Sequence, residues 1–287
     1  MQVAEQIKRV ALALEEGSVV FAHGTDNAWD EAVALVLTVA ELPNDKASLA
    51  AELTESDRQR IVDLLKRRVV ERIPLPYLLG TAWFAELEFL IEPGVVIPRS
   101  PIAELIGARF SPWLTGSPAS VLDLCCGSGC IGIASALAFA ECHLTLADVD
   151  ATAVTLARRN VDRHGLTQRT QVVRSDLFAD LPPGQFDLIV CNPPYVDTVD
   201  MRALPPEHRH EPAQGLAGGG DGLTVVHELL AELPGRLNPD GMLVCEVGAS
   251  AAALQREYSR TGFIWPDLTQ GGSGVFILQG NARPQHY

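Results

Sequence analysis

Val121-Leu122-Asp123-Leu124 runs into Cys125-Cys126-Gly127-Ser128-Gly129, and this stretch decides the fold. Four residues of strand type meet a tight glycine turn. Residues 131–140, rich in small side chains, then read as a helix able to pack closely on a sheet. The same alternation continues. Residues 143–147 form a second strand that ends at Asp148. Asp150 caps a helix with Arg158, Arg159, Arg163 and His164 in its later turns and Gly165 after it. Residues 170–173 and 186–191 give a third and a fourth strand. Leu223, Val226, Leu230 and Leu233 mark a helix, residues 242–247 a fifth strand, and residues 263–264 and 275–278 are expected to supply the last two. Strand and helix in alternation predict a parallel, doubly wound α/β sheet.

Upstream the pattern is helical. Val3, Ile7, Val10, Ala11 and Leu14 recur at helical spacing, and Gly17 can end that helix. A second helix is expected from Thr25 or Asp26, with Trp29, Ala32, Val33, Val36, Leu37 and Ala40 on one face and Pro43 past its end. Thr54-Glu55-Ser56-Asp57 resembles a capping box and opens a third, carrying Ile61, Leu64, Leu65, Val69 and Ile73, which Pro74 and Pro76 stop. Residues 81–98 read as a hairpin with strand-like runs at 83–84, 87–91 and 95–97 and a turn at Glu92-Pro93-Gly94. Ser100-Pro101 then starts a helix through Phe110. The chain thus divides into a helical domain (1–80), a connecting hairpin (81–98) and an α/β domain (99–287).

Composition narrows the function. The chain has 287 residues, enough for one large or two modest domains, and a formal net charge of −14. That charge argues against a polyanionic partner and favours a basic one. No apolar run approaches the roughly 18 residues of a membrane span, and the N-terminus lacks a signal-peptide core, so a cytoplasmic location without membrane contact is expected. Six cysteines occur without a CxxC pair and mostly in apolar runs, which reads as buried thiols rather than a zinc site. Residues 207–211, Glu-His-Arg-His-Glu, read as an exposed, mixed-charge loop rather than a metal site, and the glycines at 218–220 as points of mobility beside it.

Gly127, Gly129 and Gly132, with Asp148 about 20 residues on, formally match a dinucleotide fingerprint. The same geometry serves any adenosine ligand. Asp123, at the end of the first strand, would repel a diphosphate but tolerate a sulfonium or amino group. Ser175-Asp176-Leu177-Phe178 places a carboxylate and an apolar side chain where an adenine edge and face can be read. These features favour S-adenosylmethionine over a nicotinamide. Beyond the fourth strand stands Asn192-Pro193-Pro194-Tyr195. Asn192 carries a carboxamide, and Pro193, lacking an N–H, presents only its carbonyl. Together they suit the two N–H bonds of a planar –NH2 group, whether a second amide or an amino-purine. A rigid loop after a strand is the plainer alternative.

DLCCGSG at 123–129, SDLF at 175–178 and NPPY at 192–195 resemble the N5-glutamine protein methyltransferases, relatives of the release-factor enzyme. HGTDNAWDEA at 23–32, AWF at 82–84, IPRSPIAELI at 97–106, HEP at 210–212, DGL at 221–223 and GGSGVF at 271–276 are similar to the branch that methylates large-subunit ribosomal protein uL3. The resemblance implies a Rossmann-like S-adenosylmethionine-dependent fold with a seven-stranded sheet whose last strand is antiparallel. It implies that Asp123, Cys125, Cys126, Gly127, Ser128, Gly129, Asp148, Asp176, Leu177 and Asn192 surround S-adenosylmethionine. Asn192, Pro193, Pro194 and Tyr195 would hold the glutamine, Asn192 and the Pro193 carbonyl through its –NH2 and Tyr195 by packing. The partner implied is a large-subunit ribosomal protein, with no nucleic-acid specificity of its own. Cys125 departs from the broader methyltransferase pattern, where a glycine is common, and should narrow the room beside the methionine part. Release-factor methylation, N6-adenine methylation of DNA and a non-enzymatic ribosome-assembly role are the rival readings.

Overall fold

The computed structural model describes residues 1–269, 273–282 and 284. Positions 271 and 272 of the GGSGVF stretch therefore lie outside the described residues.

The N-terminal segment is helical: Val3–Glu16, Ala28–Val39, Lys46–Leu49, Glu55–Val70 and Leu75–Leu79. Its apolar faces meet in their own cluster, in which Ile7, Leu14, Leu35, Val36 and Ile61 are fully or almost fully buried. Gly17 closes the first helix, and Thr54 with Asp57 forms the expected capping box. The second helix starts later than expected, because Asn27 rather than Thr25 or Asp26 caps it, accepting from the Asp30 N–H. Trp29 is 47% exposed and does not join the buried face. Pro74 and Pro76 do more than stop a helix. Without N–H groups they fit the free donor positions of a first turn and open the short helix Leu75–Leu79.

A two-stranded antiparallel hairpin follows, β1 (Thr81–Phe84) and β2 (Leu87–Leu90). Its turn is Ala85-Glu86, both left-handed at φ 47° and 63°, as a two-residue primed turn demands. Residues 95–97 form no strand and instead line a cavity.

The central sheet has strands β3 (Ser120–Leu124), β4 (His143–Asp148), β5 (Thr170–Arg174), β6 (Phe186–Cys191), β7 (Leu237–Glu246) and β8 (Val275–Gln279), in the order β5-β4-β3-β6-β7-β8. All pairs are parallel except β7–β8. The antiparallel last strand is as expected, but among the described residues the count is six rather than seven. Residues 263–264 give one isolated bridge, Ile264 to Ile277. Phe263 N–H turns back to the Thr261 carbonyl, and Pro266 two residues on has no N–H to extend a ladder. Alternate strand residues feed two cores. Val121, Leu188, Val190, Met242 and Val244 face one layer, and Leu122, Leu124, Ile189, Cys191 and Leu243 face the other. Burial on both faces is why these strands read as continuous apolar runs. Among the described residues no helix is long and apolar enough to cross a membrane.

The chain enters the sheet at β3, goes out to β4 and β5, then returns on the other side of β3 to β6. Strand order reverses there, and the connections after β3 and β6 leave in opposite directions. That switch point is where an open α/β sheet leaves a crevice.

Candidate active site

A cavity of about 530 Å3 occupies this crevice. Its lining includes Cys125, Cys126, Gly127, Ser128, Asp148, Asp176, Leu177, Asn192, Pro193, Pro194 and Tyr195. The structure thus brings together most of the residues singled out from sequence. Asp123 and Gly129 lie outside the lining.

The turn after β3 is built from left-handed residues, with φ 55° at Cys125, 54° at Gly127 and 80° at Gly129. A side chain at Gly129 would lie 3.0 Å from Leu146 and 3.4 Å from Ala157, so this glycine serves close packing of helix and sheet. Cys125 takes a conformation that costs an L-residue, which accounts for a glycine being common at such a place. Gly127 N–H donates to Asp148 Oδ2 at 2.8 Å, and Asp150 N–H donates to Asp148 Oδ1 at 2.9 Å. These bonds fix the carboxylate at the rim of the cavity, while burial raises its pKa. Asp150 is the helix cap, accepting from Thr152 and Ala153 N–H groups. Asp123 is almost fully buried below the turn; Oδ2 accepts from Gly132 N–H at 2.7 Å and Oδ1 has no hydrogen-bond partner. Burial pushes its pKa up to about 8. Asp176 is exposed at the cavity wall, and Leu177, buried with φ 44°, is held by Ser175 Oγ–H donating to its carbonyl at 2.8 Å.

On the opposite side, Asn192 follows β6 directly. Its Nδ2 faces the Arg99 carbonyl at 3.5 Å, a long contact. Tyr195 O–H donates to Glu246 Oε1 at 2.7 Å, and Ser100 O–H donates to Glu246 Oε2 at 2.6 Å. Glu246 is buried, and that burial raises its pKa against the two hydroxyl bonds. The glycine-rich loop meets the same edge. Side chains at Gly218 and Gly222 would lie 2.7 Å from Tyr195 Cα and 2.3 Å from its carbonyl oxygen. These glycines permit backbone-to-backbone approach, with Gly218 N–H bonded to the Val196 carbonyl at 2.8 Å.

The loop at 207–211 departs most from expectation. It is a short 3₁₀ turn, Pro206–His210, and Glu207 and Glu211 are buried rather than exposed. Glu207 accepts from Val20 N–H at 2.9 Å and from Arg68 Nη1 at 3.3 Å, and Arg68 donates in turn to Glu31 at 2.6 Å. Glu211 accepts both guanidinium arms of Arg99 at 2.7 and 2.8 Å, Ile97 N–H at 3.0 Å, and contacts His23 Nε2 at 3.0 Å. Burial alone would raise the Glu211 pKa, but His23 and Arg99 outweigh it and hold it at about 2. His208 lines the cavity and packs its ring 4.6 Å from that of His23; burial, then the charges of His23 and Arg99, lower its pKa. His23, His208 and Glu211 place ligand-type atoms within 4.8 Å of one another, but Arg99 engages both Glu211 oxygens and would repel a cation there. The sequence did hold one signal for this network. Arg68 continues the apolar stripe of Ile61 and Leu64 at helical spacing, a cation on a buried face.

The model of the methyltransferase small domain family matches residues 112–250. The catalytic domain of hMettl16 bound to an RNA hairpin superposes with a TM-score of 0.53 at 17% identity, covering 79% of this chain and 82% of that one, which is a likeness of fold. A ribosomal protein uL3 glutamine methyltransferase from Bordetella pertussis is 42% identical over 284 residues, 97% of this chain and 95% of its own. The protein of the same name from Francisella tularensis is 42% identical over 265 residues, 91% of this chain and 84% of its own. With that identity running from the helical segment through the crevice, this chain belongs to the family of ribosomal protein uL3 glutamine methyltransferases.

Proposed function

We propose that this protein transfers a methyl group from S-adenosylmethionine to the side-chain amide nitrogen, N5, of a glutamine in ribosomal protein uL3. The observation that carries the reading is the sharing of one cavity by the Asp148–Leu177 wall and the Asn192–Tyr195 edge. The donor wall suits the methyl donor. It offers a carboxylate fixed at the rim, a second exposed carboxylate at Asp176, and the apolar side of Leu177, the set that ribose hydroxyls, an adenine amino group and an adenine face require. Gly127 leaves the backbone open, since a side chain there would meet only Val95, at 3.8 Å. Asp148 would therefore hold the ribose, Asp176 and Leu177 the base, and the turn of residues 125–128 the methionine part. Bound there, S-adenosylmethionine supplies an electrophilic methyl group.

The chain's own part is to aim the amide. With Nδ2 turned to the Arg99 carbonyl, Asn192 keeps Oδ1 to accept one N–H of the glutamine –NH2. The Pro193 carbonyl accepts the other. Two acceptors at fixed positions hold both N–H vectors, restrain conjugation of the nitrogen lone pair and direct it along the line of displacement. The alkylated amide nitrogen is a strong acid and releases its proton to water, so no strong base is required. Residues 1–80 act as a helical unit, 81–98 as a connector and 99–287 as the catalytic unit, in the cytoplasm where ribosomal proteins are made.

Asn192→Ala removes one of the two acceptors. It should lower methyl transfer by about two orders of magnitude or more, the scale of losing a preorganised polar contact at the reacting centre, while leaving donor affinity near wild type. Labelled donor incubated with uL3, a release factor and DNA, followed by mass spectrometry, reads the acceptor directly. Near-normal turnover in the variant would sink the role of Asn192, and label on a release factor or on DNA would sink the uL3 assignment.

A further inference from the structure

We propose that Glu246 is a positioning residue for methyl transfer, tying the Tyr195 and Ser100 hydroxyls to one buried carboxylate beside Asn192 so that the substrate-holding edge keeps its shape. The inference rests on the reaction proposed for Asn192.

The sheet register sets the location. β6 and β7 run parallel with Cys191 paired to Cys245, so Asn192, the first residue past β6, stands beside Glu246, the last residue of β7. Glu246 does not line the cavity and is 4% exposed. Around it β7 is apolar, with Met242, Leu243, Val244 and Cys245 fully buried. A carboxyl group in such surroundings is costly unless every oxygen has a donor. Here each oxygen has one, Tyr195 O–H at 2.7 Å and Ser100 O–H at 2.6 Å.

Both donors belong to the edge. Tyr195 closes the Asn192–Tyr195 stretch, and its ring lies against Gly248, where a side chain would come within 2.5 Å of the ring. The hydroxyl bond therefore fixes the outer end of a ring whose inner side is already packed. Ser100 follows Arg99, whose carbonyl faces Asn192 Nδ2. One carboxylate thus secures the tyrosine at the far end of the edge and the backbone that orients the asparagine at its near end. An apolar side chain in this place would fill the space and fix neither.

Tyr195→Phe tests the tether most directly, because it keeps the ring and removes only the bond. Glu246→Leu keeps much of the volume and removes both acceptor oxygens. Each should reduce kcat by about tenfold or more with donor affinity within about twofold of wild type, and the double variant should be no slower than the slower single, since both remove one interaction. Thermal unfolding and donor titration accompany every variant. Turnover within about twofold of wild type in Tyr195→Phe overturns the proposal, as do losses that multiply in the double variant or that track lost donor binding. If Glu246→Leu fails to fold, Tyr195→Phe and Ser100→Ala carry the comparison alone. Asn192→Ala runs alongside. Normal turnover in that variant counts against the proposed reaction at the edge, whereas a dead Asn192→Ala with a fully active Tyr195→Phe counts against Glu246 only.

Discussion

At the scale of single residues, Asp123 shows how far a side chain can sit from the part its position suggests. It stands in the glycine-turn motif, yet it lies beneath the turn and outside the cavity lining, with Oδ2 on Gly132 N–H and Oδ1 unpartnered. Sequence spacing located it at the end of a strand but carried no information on depth. Burial raises its pKa from 3.8 to about 8, with the nearby Asp148 charge adding to the shift. A folded-state pKa above the unfolded one means that the folded protein holds the proton more tightly. The stability this contributes is complete below about pH 3.8 and is lost as the pH rises through about 8. Asp123→Asn keeps an acceptor for Gly132 and cannot ionise. Relative to wild type it should gain stability as the pH rises from about 3.8 to about 8, by about 1.4 kcal/mol per pH unit, and level off above that, whatever constant cost the amide adds. Urea unfolding at pH 6 and pH 9 measures the difference. A gap between the two proteins that stays constant across that range would refute the assignment.

Elements were legible where pattern and length agreed. β6 falls where the continuous apolar run placed it, and Gly165 and the Thr54 capping box mark helix ends because their local chemistry alone dictates them. Short elements were not legible. The helices Thr198–Ala203 and Ala251–Glu257 are too brief to show a period, and the hairpin turn at Ala85-Glu86 lacks the usual Asn-Gly signal. Contacts between elements were hidden too. The arginines late in helix Ala151–Arg163 look like complements to a helix dipole, but Arg159 and Arg163 pair with Glu92 and Glu88 of the hairpin segment. Asn160, one turn from the end of that helix and fully buried, joins two further elements. Its Oδ1 accepts from Leu90 N–H at 2.8 Å, and its Nδ2 donates to the Leu90 carbonyl at 3.1 Å and the Ser128 carbonyl at 2.9 Å. One amide therefore binds the hairpin to the turn at the cavity floor. Asn160→Ala strands three backbone groups and should destabilise the protein by about 3 kcal/mol, since each buried unsatisfied group costs about 1–3 kcal/mol and solvent repairs part of the loss. Chemical denaturation reads this, and a change below about 0.5 kcal/mol would mean that the brace contributes nothing.

At the scale of the whole molecule, the helical segment has a core of its own, and its attachment to the catalytic part is ionic as well as apolar, Tyr77 packing against the small cluster of Ile91, Val95 and Leu156. Both anchors come from one loop. Glu207 reaches Arg68, with Arg72 and the Val20 N–H beside it, and Glu211 reaches His23 and Arg99. No local pattern reports a pair such as Arg68 and Glu207, which are 139 residues apart; only the fold brings them together. Arg68 is 1% exposed and lies between two carboxylates, Glu31 and Glu207. Replacing it with methionine keeps much of the volume and removes the charge, which leaves both carboxylates buried with like charges facing each other. Breaking such a buried pair from one side costs about 3–5 kcal/mol. The loss should fall on the join, because the helical core and the sheet core are otherwise separate clusters. Arg68→Met is therefore expected to split a single calorimetric transition into two, the helical segment melting first. Donor affinity should stay near wild type, since Asp148, Asp176 and Leu177 all belong to the sheet side. One unshifted transition in the variant would show that apolar packing alone holds the two cores together.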